Sequence, residues 1–260
     1  MAHLGVGFCS AATPKMKPRI KMIIQYHDTS ASSRAANDTT VYFYNDDGRI
    51  TKIKNSYVGG IIFTYEPGRI IEKYYRPKNV IDVDTLILNK QGLVEKITHH
   101  KYPSYDSLIY DRDNHLIREL MYVHAGAGKD TLTFSRNFDY INGNQVHFSK
   151  EVIRYSGYMS SSDCSTCIDQ YDDKRINTIG KENIGMSFLG SDSKNTLLPV
   201  DRGPKGMSCL GAYGGQDHYT YNYDAMGRII TQIDYDSDLR IPPIKIAYSY
   251  YSSIKIVLDK

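Results

Sequence analysis

The sequence predicts an all-β domain, a large up-and-down antiparallel meander, on three observations. A turn signature, aromatic–x–Tyr–Asp/Asn–x–x–Gly–Arg–Ile/Leu, runs through the chain, seen best at Tyr42–Ile50 (YFYNDDGRI) and Tyr221–Ile229 (YNYDAMGRI). Self-similarity at a short period marks one repeated supersecondary unit. Flanking segments alternate: Tyr219, Tyr221 and Tyr223 oppose Thr220 and Asn222, and Ile244, Ile246, Tyr248 and Tyr250 oppose Lys245, Ala247 and Ser249. A period of two is the β signature, and the six or seven residues between turns are too few for a helix.

Residues 1–18 read as a leader or disordered tail. MAHLGVGFCSAATPK holds a short apolar stretch ending in Cys9, similar to the tail of a secretory signal but without a basic start. Cys9 is a candidate for lipidation, although Phe8 stands where a small residue is expected.

Residues 19–260 read as a single repeat-built β domain. Its turns share one logic. In Asn45-Asp46-Asp47-Gly48, Asn89-Lys90-Gln91-Gly92 and Asp224-Ala225-Met226-Gly227, the first side chain bonds nearby backbone and the glycine accepts positive φ. Asp111–Asn114 keeps the pattern, with Asn114 as the residue that best tolerates a left-handed conformation after glycine. Glu66-Pro67-Gly68-Arg69 is one residue shorter, Asn142-Gly143 is a two-residue hairpin signal, and Tyr171–Ile176 reads as a degraded copy. Ile50 and Ile53, like Ile229 and Ile233, break strict alternation, which implies a bulge or burial of both faces in the outgoing strands. Roughly 12–16 strands follow, more than a flat sheet carries before it curls or closes. The expectation is a curled sheet or a soluble porin-like barrel. Residues 156–217 break the rhythm and form one irregular insertion, with a short helix as an option; such insertions are where function tends to sit on a repetitive scaffold.

Composition excludes several classes. The 32 basic and 29 acidic residues alternate, for a formal charge of +3, and no basic block implies a nucleic-acid or anionic-membrane surface. No apolar run reaches the ~18–20 residues of a membrane-spanning helix. Lys52, Lys54, Glu72, Lys73, Glu95, Lys96, Arg118 and Glu119 fall mid-strand on neighbouring residues, so both faces carry charge, against a lipid-exposed barrel.

The unit at 221–229, with copies at 42–50 and 107–117, resembles the YD repeats of bacterial Rhs and teneurin-type β-shells. The whole of 19–257 is more similar to a bacterial extracytoplasmic family of unknown function with a porin-like fold. The similarity lies in the Lys/Pro-bearing entry Ala12–Tyr26, the successive hairpins, the Tyr171–Lys174 motif before an irregular section, and the closing hairpin 219–235. The resemblance implies a periplasmic, outer-membrane-lipoprotein or secreted location. It carries no catalytic residues, and Cys164 and Cys167 match no pattern in it.

Chemistry-bearing residues are few. Cys164, Cys167 and Cys209 suit a disulfide that staples the insertion; a CxxC redox pair would open a helix, and zinc would need four ligands. No metal or cofactor is expected. Ala125–Asp130 only superficially matches a phosphate-binding loop, lacking the first glycine and the Ser/Thr. His99 and His100 are adjacent on a strand, so they face opposite ways and cannot hold one ion together. Neither a nucleophile elbow nor a zincin motif appears, so no enzymatic activity is expected. With 23 Tyr, 7 Phe and no Trp, the remaining signal is aromatic. Tyr42, Tyr44, Tyr65, Tyr219, Tyr221 and Tyr223, with Phe63, form cross-strand ladders, or alternatively a platform for a glycan, lipid or peptide on the concave face. The leading expectation is a non-enzymatic binding scaffold. A passive encapsulating shell is the alternative, and a hydrolase centred on the insertion comes third. An open, tyrosine-lined hollow favours binding, and one filled by side chains favours a scaffold.

Overall fold

The structure, a computed structural model, describes residues 19–26, 37–56, 59–76, 79–124, 130–152, 164–167, 171–197, 218–235 and 244–251. Strands follow one another along the chain: β1 (Ile20–Tyr26), β2 (Asp38–Tyr44), β3 (Ile50–Asn55), β4 (Gly59–Glu66), β5 (Arg69–Arg76), β6 (Asn79–Leu88), β7 (Val94–His99), β8 (Ser104–Tyr110), β9 (Leu116–His124), β10 (Asp130–Ile141), β11 (Asn144–Val152) and β12 (Cys164–Cys167). The insertion then supplies β13 (Tyr171–Ile176), a 3-10 turn at Ser187–Leu189 and β14 (Asn195–Leu197). A last group returns, β15 (His218–Tyr223), β16 (Ile229–Tyr235) and β17 (Ile244–Tyr250).

Fifteen of these strands form one antiparallel sheet in the order β12 to β1, then β17, β16, β15. The meander is therefore sequential except at one junction, where the first strand pairs with the last, Ile23 opposite Tyr248. Among the described residues β12 and β15 are its edges, and no ladder joins them to close the sheet. β13 and β14 make a separate two-stranded ribbon. Tyr171–Ile176 is thus a bulged strand of that ribbon and not a hairpin corner: Asp172 accepts the Lys174 N–H at 3.0 Å, as Asn89, Asp111 and Asp224 accept the N–H two residues on, but with no glycine to reverse the chain residues 173–175 form a bulge and Ile176 rejoins the ladder opposite Asn195.

The repeat reduces to one corner geometry. Asn45, Asn89, Asp111 and Asp224 each accept, on a side-chain oxygen, the N–H four residues on, at 2.9–3.0 Å. The fourth residue is left-handed each time: Gly48 at φ 72°, Gly92 at 81°, Asn114 at 68° and Gly227 at 76°. In every copy the outgoing strand then carries one extra residue. Phe43 faces Lys52 while Tyr44 faces Ile50, which leaves Thr51 unpaired; Glu95, Ile117 and Ile230 are extra in the same way. This bulge is the physical reason that Ile50 and Ile53 share a face. The residue just before the bulge is driven inward: Ile50, Val94 and Ile229 are fully buried.

Those residues begin the core. Ile20, Tyr42, Ile50, Phe63, Ile70, Leu86, Val94 and Leu108, from β1 through β8, line the turn end of the concave face, and Phe188 of the insertion packs into them. Ile179, Ile184, Met186 and Leu189 pack against the same cluster. The insertion is thus a plug seated inside the curl.

Candidate functional site in the concave face

The plug is held by backbone as well as by apolar packing. The Ile20 N–H donates to the Asn183 carbonyl at 3.0 Å, and the Ser191 N–H to the Asn114 carbonyl at 2.8 Å. At one flank the Lys194 N–H donates to Gly143 O (2.8 Å), the Asn195 N–H to Asn144 Oδ1 (2.8 Å), and the Tyr171 hydroxyl to Gln145 O (2.6 Å). At the other flank Thr178 Oγ1 accepts from the Ile229 N–H at 2.9 Å, and the Arg175 guanidinium lies 4.0 Å from the Tyr223 ring centroid. The segment thereby ties the β10–β11 turn, beside one edge, to β15 and β16 at the other. Gly185 (φ 77°) fits where a Cβ would meet the Tyr44 ring at 2.8 Å, and Gly190 (φ 86°) where it would meet the Asn114 carbonyl at 2.6 Å. Both glycines are steric requirements of the fit.

A shallow pocket of about 400 Å³ marks the seam between plug and turns, lined in part by Arg19, Leu93, Asn114 and Ser187. The Arg19 guanidinium there donates to the Glu182 carbonyl.

Beyond the apolar layer the same inward face becomes ionic. Phe63, Glu72, Asp84 and His99 are directly opposite one another across β4, β5, β6 and β7. Glu72 and Asp84 are each 7% exposed. The Tyr74 hydroxyl donates to Glu72 Oε2 at 2.8 Å. His99 bridges two carboxylates: Nε2 is 3.1 Å from Asp106 Oδ2, and Nδ1 is 3.2 Å from Asp84 Oδ1, in ion-pair range but off the line of a hydrogen bond. Burial pushes the Glu72 carboxyl up to about 7, opposed by the Tyr74 hydrogen bond and assisted by Asp84. Burial likewise raises Asp84, with His99 opposing. For His99, burial lowers the imidazole pKa, but Asp106 and Asp84 outweigh it and the net shift is upward. Further round, the Arg136 guanidinium meets Glu119 at 3.0 Å. The layer can hold or release protons near neutrality.

The sequence singled out other residues, and the structure places them as follows. Tyr42 is buried, and Tyr44 and Tyr65 pack against the cluster. Their hydroxyls are engaged by backbone: Tyr44 donates to Ile20 O at 2.6 Å and Tyr65 to Ile50 O at 2.8 Å, and burial pushes Tyr65 up to about 12. Tyr221 and Tyr223 are half-buried with ring centroids 6.4 Å apart, on the C-terminal hairpin. Tyr219 lies on the backbone of β15. The six therefore fall into two groups, β2–β4 and β15. Cys164 and Cys167 lie on the edge strand β12; Cys9, Cys209 and the 125–129 loop lie outside the described residues. Asp111, Asp113 and His115 offer ligand atoms within 4.8 Å of one another, but Asp111 spends its oxygens on the Asp113 and His115 N–H groups and on His115 Nδ1. That trio is the corner's own hydrogen-bond set.

The ionic layer was not visible to motif reading. Its four members come from four strands, and only register brings them together. One signal was available: Glu72 and Asp84 have the same phase as the apolar Ile70 and Leu86, which places carboxylates on a core-facing stripe.

Comparison with known proteins bears on the fold. A porin-like protein from Bacteroides uniformis aligns with a TM-score of 0.64 at 13% identity, over 89% of this chain and 98% of its own. A second porin-like protein, from Bacteroides vulgatus, aligns with a TM-score of 0.51 at 11% identity, over 90% and 99%. The Photorhabdus luminescens Tc holotoxin pore covers 84% of this chain and 11% of its own at a TM-score of 0.32, too low to bear on the fold. No family model and no curated protein matches the sequence. The porin-like fold is thus shared at identities that speak to architecture alone.

Proposed function

We propose that this chain is a non-enzymatic β-scaffold of the bacterial envelope or exterior, a curled shell whose hollow is occupied by its own insertion. The observation that carries this reading is the plug. Phe188 is 7% exposed amid the buried residues of β1 to β8, and the flanking backbone bonds reach both edge regions of the open sheet. A hollow filled by the chain itself supports a scaffold over a receptor. The sharing of a porin-like fold with the Bacteroides proteins fits an envelope setting. The outer face argues against a lipid-spanning wall, since Lys52, Lys54, Lys73, Lys96 and Arg118 sit on it mid-strand, each costing about 2–4 kcal/mol near a bilayer midplane.

A second reading, a glycan, lipid or peptide held on the concave face, is favoured by one observation: the Glu72–Asp84–His99–Asp106 layer buries carboxylates that the apolar core does not need. The hydrolase reading gains little. A hydroxyl–imidazole pair does exist, Thr85 Oγ1 with His100 Nε2 at 2.8 Å, yet it is exposed and outside the insertion.

Replacing Phe188 by Asp tests the first reading against the second. The scaffold reading expects loss of one cooperative melting transition for the whole chain. A variant that melts like the parent and newly binds soluble glycans or peptides in a binding screen makes the insertion a displaceable lid and overturns it.

A further inference from the structure

Register sorts the charges of β2 to β9 by sign. On β2 to β9 the inward positions hold Glu72, Asp82, Asp84, Asp106 and Glu119, whereas Lys52, Lys54, Arg69, Lys73, Lys96 and Arg118 take the outward ones. The exceptions are Glu66, whose carboxylate is 2.6 Å from Arg69, the bulged Glu95, and Arg76, which takes the inward phase at the exposed end of β5. Neighbours in sequence, Glu72 with Lys73 and Arg118 with Glu119, thus act on opposite sides of the wall. Over β2 to β9 the near balance of the sequence, +3 overall, conceals a cationic outer face above a carboxylate inner one; on β10 and β11 the order is not kept, since Arg136 and Lys150 share the inward phase.

The outer wall is also apolar in a regular way. One row runs perpendicular to the strands through directly opposed residues, Phe43–Lys52–Ile62–Lys73–Val83. At about 4.8 Å per strand the two ammonium groups root roughly 10 Å apart, with an apolar side chain on either flank of each. Phe43 is 39% exposed and Ile62 40%; on the same face Ile109, beside Arg118, is 41% exposed. Lys52, Lys73 and Arg118 make no ion pair among the described residues.

We propose that this wall docks on the surface of an anionic lipid bilayer, lying against it and not crossing it. The proposal rests on the scaffold reading in one respect: with the interior filled, the outer face of β2 to β6 is, among the described residues, the face left for a partner. Charge complementarity and the row's chemistry select the occupant. Lysines reach phosphate with their ammonium groups while their stems and the intervening Phe43, Ile62 and Val83 rest at the headgroup–acyl boundary. A polysaccharide fits less well, because the row offers a sugar a single aromatic ring to stack on, Phe43, which Lys52 Nζ shares at 5.9 Å from the centroid; its other apolar members are aliphatic.

The test is co-sedimentation of the full chain with phosphatidylglycerol-containing vesicles, against pure phosphatidylcholine vesicles and soluble dextran sulfate. Binding to the anionic vesicles alone, weakening with salt, is expected. Lys52→Gln with Lys73→Gln should reduce partitioning by roughly 30-fold, since each lysine near such a surface contributes about fivefold. Arg112→Glu removes the same net charge at a turn tip where Arg112 is 94% exposed, and should leave binding within a factor of two or three. Equal binding to both vesicles, no binding, binding to dextran sulfate alone, or equal loss in the two variants would each overturn the proposal. Circular dichroism and melting of the same samples report the scaffold separately, so a folded chain that ignores vesicles refutes the docking without touching the shell.

Discussion

At Glu72 a single buried carboxyl links the stability of the molecule to pH. Its folded pKa of about 7 stands above the free value of 4.5 because burial disfavours the carboxylate. The folded state therefore holds the proton more tightly than the unfolded chain. Below pH 4.5 both forms are protonated and the site is neutral to stability; from there stability falls, and above pH 7 the full penalty of about 3 kcal/mol applies. His99 works in the same direction, because its raised pKa favours the folded state below about 6.5 and that contribution is lost as pH rises through the folded value. The protein is expected to be more resistant to urea at pH 5 than at pH 8. Glu72→Gln should flatten the profile, stabilising by about 2–3 kcal/mol at pH 8 and by nearly nothing at pH 4. Parallel urea profiles for parent and variant at both pH values would show that the ionic layer is not desolvated as described.

At the scale of the element, the corner is the unit that repeats and the bulge is its consequence. A carboxamide or carboxylate at the first position, a left-handed fourth residue and an extra residue in the outgoing strand occur together at four sites. Asn89 illustrates the interdependence, accepting from the Gln91 and Leu93 N–H groups at 2.9 and 3.0 Å. Leu93 and Val94 follow at once and are buried. Asn89→Ala should cost about 1–2 kcal/mol in a thermal or chemical melt, the range for a lost side-chain cap on backbone N–H groups. Asn89→Asp, which keeps the acceptor, should fall within about 0.5 kcal/mol of the parent. If the two substitutions cost the same, the side-chain bonds are not what sets the corner.

For the whole molecule, the problem is an open sheet with two edges, and the insertion addresses it at one end. Thr178 engages β16, and Asn195 engages Asn144 at the β10–β11 turn, through hydrogen bonds to groups that are buried. Thr178→Val leaves the Ile229 N–H without its partner, at about 1–3 kcal/mol. Amide hydrogen exchange should then rise on both β15–β16 and β10–β11, because one body spans them. A rise confined to β16 would mean that the plug does not couple the edges.

Much of this architecture is written locally. The four corners, the left-handed Asn114, the meander and the irregular stretch after β11 follow from turn chemistry and a two-residue period, both of which operate within about ten residues. The break in alternation at Ile50 and Ile53 even announces the bulge. Three things were not legible, for one reason. The pairing of β1 with β17, the seating of Phe188 among residues on distant strands β1 to β8, and the meeting of Glu72, Asp84, His99 and Asp106 all depend on which strand lies beside which and in what register. Local sequence specifies which face a side chain takes relative to its neighbours in the chain. Whether that face looks into a filled interior or out to a surface, and so whether Lys52 and Glu72 cancel or act apart, is decided only when the sheet curls and the insertion occupies its concave side.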